Sequence, residues 1–528
     1  MKKLLLIPVL LIPVLLTSLM AAGDKPKEWE FSGSLNMYLQ TVHIDGIDSD
    51  REGDTHNEEL NLNLTGPLAD GEAGAETRLR STNDERVQEN NVEVLYFRSY
   101  YKDKVWEAEA GDVASSLNPY IFSGSLKGAK ITYKSKEKKR TWNYSVISGL
   151  KKASWKELFN SEENESPTGY SAAIQAKYIH ERAKEIGISV STYKDDLSTG
   201  ESNTSVPGKK GYSVGIDGKW RFNKFITLKG RSAISVGSDD IRSDKSSESS
   251  KAIYLKLLTR PILKSVKSNF VYQRIDPNFV SYGGSANNDK EQIENSTSWK
   301  INKEYNLRVD LKGNRDNLDG QLSDTTELHY EALSLNYRPS FLKRSSIDLR
   351  VSNKGIKGAG SDNITQTAGL NFNLRQKSGW RYSLGYDYSD YDDKNTSSSS
   401  RASHTFKVLL GYKQKLSKTK SYRFTLRPSY IHTNSSNSED KIGLKADLGY
   451  VHDKKLSMDL LYIIYDSDYD TSNNTQNSTY QARGTYKLNN TGRDTVRLLI
   501  EKKDVNVDNT PESTYEEYTA KLSLALAF

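Results

Sequence analysis

The chain of 528 residues carries 75 Lys+Arg against 68 Asp+Glu, a formal net charge of +7 that is small for the length and does not point to a nucleic-acid partner. Cysteine is absent, which excludes disulfides, thiolate metal sites and covalently attached haem. Hydrophobic residues make up only 35%, too few for a soluble fold of this size, whereas 32 tyrosines and 7 tryptophans are too many for a disordered polar chain.

At the amino terminus, Met1-Lys2-Lys3 is a short basic region, Leu4 to Leu16 is an apolar run broken by Pro8 and Pro13, and Ala21-Ala22-Gly23 supplies small residues for cleavage. This pattern predicts a secretory signal peptide over 1–23 and a mature chain over 24–528. The apolar run is short against the roughly 20 residues that a membrane helix requires. Beyond it, almost every segment repeats one unit, an alternating strand of about 10 residues followed by a turn. No proline-rich linker or change of composition divides the repeat, so a single domain is expected.

Two stretches depart from the unit. The first runs from Gly111 to Ala129, with several glycines and Pro119. It reads either as a segment folded inward as a constriction or as an external loop on a rim. The second, Tyr272 to Gly284 with Asn287 to Asp289 after it, suits a loop held against the mouth of a barrel.

The second half carries the clearest strands. Trp380, Tyr382, Leu384, Tyr386 and Tyr388 alternate with Arg381, Ser383, Gly385, Asp387 and Ser389. The same period of two governs 406–413, 422–430, 441–450 and 480–487. Connectors alternate between long ones, such as 276–290, 390–401 and 505–513, and short ones, such as 223–224, 377–379 and 452–454. Long connectors are acidic or rich in Ser and Asn, and short ones are often basic, as in Leu342-Lys343-Arg344. These are expected to be solvated turns, with the alternative that the acidic loops bind divalent ions or shape an entrance potential. The final strand places Tyr518, Ala520, Leu522, Leu524, Leu526 and Phe528 on one face and Thr519, Lys521, Ser523, Ala525 and Ala527 on the other. One apolar and one small or polar face is what a lipid-facing barrel strand needs. The predicted fold is therefore all-β: a single large antiparallel transmembrane β-barrel of about 26 strands.

The terminal segment, with Tyr518, Leu522, Leu524, Leu526 and the aromatic Phe528, resembles the last strand of Gram-negative outer-membrane proteins, where it is the assembly signal. The resemblance implies the outer membrane as location and outer-membrane lipid and the barrel-assembly machinery as partners. The 111–129 and 272–289 segments, with Arg315-Asp316-Asn317-Leu318, resemble elements of large outer-membrane barrel proteins of uncharacterised function.

With the apolar faces toward lipid, the inward set includes Arg375, Arg381, Lys407, Arg423, Arg427, Lys445, Arg483, Lys487, Arg497 and Lys521, opposed by Asp387, Asp447 and Glu501. Charges on the lipid face cost about 2–4 kcal/mol near the midplane, so inward placement is the physical default. A basic wall favours anions; alternatively these side chains pair with carboxylates on neighbouring strands. His43, His56, His180, His329, His404, His432 and His452 have no zinc-motif spacing, no Gly-x-Ser-x-Gly elbow occurs, and neither a cofactor nor an enzyme activity is expected. The leading expectation is a porin-like channel passing small hydrophilic solutes with a mild anion preference. A second is a sheath around a periplasmic partner protein such as a multihaem cytochrome, since barrels of porin–cytochrome conduits resemble this one in strand number. A third is a surface scaffold or adhesin displaying the long loops.

Overall fold

The computed structural model describes residues 29–528 apart from 85, 88–91, 152–154, 156–167, 182, 197–207, 239–247, 261–264, 281–287, 322–323, 359, 396–398, 471–472, 490–491 and 509. The expected signal peptide lies outside the described residues, as do parts of the connectors around 239–247, 281–287 and 396–398.

Each strand pairs antiparallel with the next one along the chain, so every neighbour but one comes from a local hairpin. The exception joins β1 (Glu30–Asp45) to β26 (Tyr515–Ala527), in register from Ser34↔Ala527 to Asp45↔Glu516, and closes the 26-stranded sheet into a barrel. Closure gives every strand a neighbour on both sides, as polar backbone in hydrocarbon requires. No helix among the described residues is long and apolar enough to cross a membrane, a fact that says nothing against crossing by strands.

Alternation gives the wall two faces. The outer face exposes large aliphatic side chains, with Ile174 57%, Leu384 54%, Ile442 62% and Leu460 52% exposed. Such a band is stable only against lipid. Trp106, Trp142, Trp220, Trp299 and Trp380 all stand at the short-connector ends of their strands. There Trp106, Trp142 and Trp380 join cross-strand ring pairs, Trp106–Tyr133 at 4.8 Å, Trp142–Tyr178 at 4.8 Å and Trp380–Tyr412 at 4.6 Å between centroids. Half-apolar, half-wet rings at one height form an interfacial belt. Outward charges collect at the opposite end, where Lys502 bridges Asp504 at 2.9 Å and Glu516 at 3.2 Å.

The contrast in connector length is clear where β13 (Val266–Ile275) ends at Ile275 and β14 (Lys290–Lys300) begins only at Lys290. It shrinks in the carboxy-terminal half, where 416–419 and 435–438 are alike and Gly358 pairs directly with Ser361. A ladder needs backbone partners and not apolar side chains, so these strands continue into water through residues that read as loop.

The Gly111–Ala129 stretch is more regular than its composition suggests. Gly111–Ser116 completes β5 (Trp106–Ser116), and Ser123–Ala129 begins β6 (Ser123–Glu137), so only 117–122 leave the hairpin. The irregularity lies instead between β4 (Val92–Lys102) and β5, which pair only from Lys102↔Glu107 to Arg98↔Gly111. Gly111 has φ +101°, and a Cβ there would stand 2.3 Å from the Phe97 carbonyl oxygen. Beyond that point the Asp112 carboxylate accepts hydrogen bonds from the Phe97 amide at 2.7 Å, Lys127 Nζ at 2.9 Å and Trp155 Nε1 at 2.7 Å. This cluster closes the outer face of the seam.

Candidate functional site: a two-sided lumen

The inner wall differs in its two halves. On one side it is built from very small side chains: Ala173 on β8 (Thr168–His180), Ser189 and Ser191 on β9 (Lys184–Asp196), Ser213 and Gly215 on β10 (Lys210–Arg221), Ala233 and Ser235 on β11 (Ile226–Ser238), and Ala252 on β12 (Glu248–Thr259). Small residues leave a shallow trough, and residues 117–122 fill it. Ile121 and Phe122 are 0% exposed. Leu117 and Phe122 pack with Val113, Leu126, Ile147 and Ala173, and Tyr120 and Ile121 pack with Ala233, Ala252, Ile275 and Phe279. At Gly215 an added Cβ would meet Ile121 Cδ1 at 2.8 Å, so any side chain there would displace Ile121 from its seat.

Polar contacts pin the same segment. Asn118 Nδ2 donates to the Ile216 carbonyl at 3.3 Å, Ser191 Oγ to the Ile121 carbonyl at 3.1 Å, and Gln273 Nε2 to the Tyr120 hydroxyl at 3.0 Å. Burial pushes the Tyr120 phenol up to about 12, so it stays neutral. The second departing stretch folds onto the first. Phe279 is buried edge-on against Tyr120 at 6.1 Å, and Val280 bonds Ser213 and Ser235 through its carbonyl and amide. Farther along, the Asn317 and Leu318 amides donate to Asp289 at 2.9 and 2.7 Å, tying the next long connector to this one. Of the two readings of 111–129, the inward one holds for 117–122: the segment lies along the inner wall.

The other half of the wall is charged. The register puts Arg375, Arg381, Lys407, Arg423, Arg427, Lys445, Arg483, Lys487, Arg497 and Lys521 on the face opposite the exposed aliphatic side chains. Lys407 meets Asp387 at 2.9 Å, and Arg423 lies between Asp459 at 2.7 Å and Asp447 at 3.4 Å. Lys521 Nζ sits 3.4 Å from the centre of the Tyr38 ring, and Arg483 donates to Gln481 at 3.2 Å. Among the described residues, none of the ten except Lys407 and Arg423 has a carboxylate within 4.0 Å. Glu501, expected to oppose them, accepts instead from Gln481 at 2.5 Å.

Several inward cations nearer the amino terminus are matched, although Lys229 and Lys256 face each other with no carboxylate within 4.0 Å among the described residues. Arg98 and Lys130 share Glu109 at 3.2 and 3.0 Å, and Lys177 and Lys219 share Glu185 at 3.1 and 2.7 Å. Shared glutamates therefore relieve part of that side, while eight of the ten carboxy-terminal cations keep no carboxylate partner among the described residues. Sequence reading missed this division and the trough. The run of Ser, Ala and Gly at alternate positions from 171 to 252 was the signal for the trough.

The terminal strand is held at the closing seam. Phe528 exchanges backbone hydrogen bonds with Gly33 at 2.7 and 3.1 Å, and its ring lies 5.9 Å from Phe31. Tyr518 and Leu522 point outward at 40% and 47% exposure, and Leu524 and Leu526 share their face. Among the described residues no group of three or more His, Cys, Asp or Glu side chains is placed to hold a metal ion.

No protein-family model matches the chain, and no curated protein matches it. Solved structures similar to it include a mutant of the ferric enterobactin receptor PfeA from Pseudomonas aeruginosa, at 9% identity over 96% of this chain and 81% of that one, with a TM-score of 0.45. The P pilus usher PapC translocation pore aligns at 10% identity over 94% and 99%, with a TM-score of 0.37. Acinetobacter baumannii OccAB4 aligns at 10% identity over 96% and 100%, with a TM-score of 0.29. Likenesses this distant do not bear on what the chain does; its closed 26-stranded antiparallel barrel stands on its own register.

Proposed function

We propose that the chain is an outer-membrane channel for passive passage of small hydrophilic solutes, with a lumen that favours anions. The observation that carries this reading is the uncompensated positive charge of the carboxy-terminal inner wall. Cations facing water inside a low-dielectric wall raise the local anion concentration, and the effect is not cancelled where carboxylates are missing. The exposed aliphatic band and the aromatic belt support a lipid setting, and segment 117–122 narrows the lumen from one side while leaving the charged wall uncovered.

The test is single-channel recording of the refolded barrel in a planar bilayer under a potassium chloride gradient. A stable conductance with an anion-selective reversal potential is expected. A folded barrel that does not conduct would overturn the channel reading and favour a sheath around a periplasmic protein. A cation-selective one would overturn the role given to Arg375, Arg381, Arg427, Lys445, Arg483, Lys487, Arg497 and Lys521.

A further inference from the structure

At the short-connector mouth the surplus charge becomes a defined cleft. Residues 338–344 join β16 (Glu327–Tyr337) to β17 (Ser345–Gly358), and residues 376–379 join β18 (Ser361–Arg375) to β19 (Trp380–Asp393). Between them, and against the end of β20 (Arg401–Lys415), lies a cleft of about 870 Å³. Arg338, Arg344, Arg375, Arg381, Lys413 and Lys415 line it, and no acidic residue does. Among the described residues none of these six cations has a carboxylate within 4.0 Å. Arg375 and Arg381 are direct register partners on the inner face. Like charges placed opposite each other across a ladder destabilise it, so the arrangement sits at rest with unrelieved repulsion. Lys229 with Lys256 and Arg427 with Lys445 also face each other across the inner ladder, whereas glutamates stand between the cations at Glu109 and Glu185. At Arg375 and Arg381 four further cations line the same cleft.

We propose that this cleft binds a small soluble polyvalent oxyanion of the phosphate class. Arginine contributes four of the six cations, and its planar fork matches two phosphate oxygens at once. The volume falls in the range of small-molecule sites and exceeds what a bare phosphate needs, so a phosphorylated solute fits. Ser346 and Asn373 also line the cleft, but both donate to the Asp348 carboxylate behind it, at 3.3 and 3.5 Å, so recognition falls to the six cations. The cations are exposed, so binding weakens as salt rises. The inference rests on the channel reading for how the solute arrives, and not for the binding itself.

Calorimetric titration of the full refolded barrel in detergent with inorganic pyrophosphate at low ionic strength tests it. Saturable binding is expected, weakened about tenfold or more by Arg375→Gln with Arg381→Gln. The same charge loss at Arg427→Gln with Lys445→Gln, outside the cleft, is expected to change it less than about twofold. Absence of saturable binding, or equal weakening by both pairs, would overturn the site and leave only a diffuse field. Arg375→Lys with Arg381→Lys keeps the charge and guards against misfolding. A loss of affinity in that folded variant supports recognition by the guanidinium fork, and an unchanged affinity overturns that recognition. Conductance measured on the same preparation separates the two ideas. A barrel that conducts without binding pyrophosphate refutes the site alone, and one that binds without conducting refutes the channel alone.

Discussion

Replacing Phe122 with alanine isolates the force that keeps segment 117–122 against the wall. The ring is fully buried among Val113, Leu117, Leu126, Ile147 and Ala173. Its truncation costs about 3–5 kcal/mol where the surroundings do not collapse. The three hydrogen bonds from Asn118, Ser191 and Gln273 contribute about 0.5–1.5 kcal/mol each. One aromatic side chain thus holds the segment about as firmly as all three polar contacts together. A loss of 3 kcal/mol raises the detached population roughly 100-fold. The assay is hydrogen exchange at the Ile121 and Phe122 amides, which bond the Asn118 carbonyl at 2.8 and 2.9 Å. Exchange there is expected to accelerate about 100-fold, with amides in β7 (Arg140–Lys151) unchanged and single-channel conductance increased. Unaltered exchange at Ile121 would refute the packing argument. Acceleration shared by β7 would show that the ring supports the whole wall and not the segment.

Three further outcomes are expected. Because desolvation holds the Tyr120 phenol above its ordinary value, its contribution is complete below about pH 10 and is lost as pH rises toward about 12; proteolysis within 117–122 is expected to rise over that window in the native chain and not in Tyr120→Phe, and identical profiles would contradict the assignment. Asp387→Asn frees Lys407 from its 2.9 Å partner; the reversal potential is expected to shift toward anions, with stability changed by less than about 1 kcal/mol, and a shift toward cations would count against an electrostatic lumen. Phe528→Ala removes an exposed ring stacked on Phe31 and is expected to slow assembly by the barrel machinery while leaving the melting of the folded barrel nearly unchanged; unchanged assembly would rule out a signal role for this residue.

Much of the architecture was legible because an alternating strand is a local signal. Trp380 to Ser389 and Tyr518 to Phe528 declare two faces without reference to any neighbour, and hairpin topology makes the strand count nearly a count of such runs. What depended on distant partners was not legible. The match of Arg98 and Lys130 to one glutamate, against Arg427 and Lys445, which face each other without one, follows from register between strands. The inward course of 117–122 required small side chains on five other strands at the correct height. The Gly111–Ala129 stretch looked irregular throughout because glycine and serine are turn residues, yet most of it continues a ladder. Arg338, Arg344, Lys413 and Lys415 stood in stretches that read as solvated turns or strand ends, and only closure of the wall sets them beside Arg375 and Arg381.

A ring of staves parts first at its weakest joint. The joint of β4 with β5 holds five paired residues, from Lys102↔Glu107 to Arg98↔Gly111, where that of β5 with β6 runs along the whole of β5. Above Gly111 the Asp112 side chain stands in for the neighbouring backbone, so a single carboxylate works there as a latch. Heat or denaturant is therefore expected to open this line of the circumference first, with the latch released and β4 freed while the long hairpins of the carboxy-terminal half still stand.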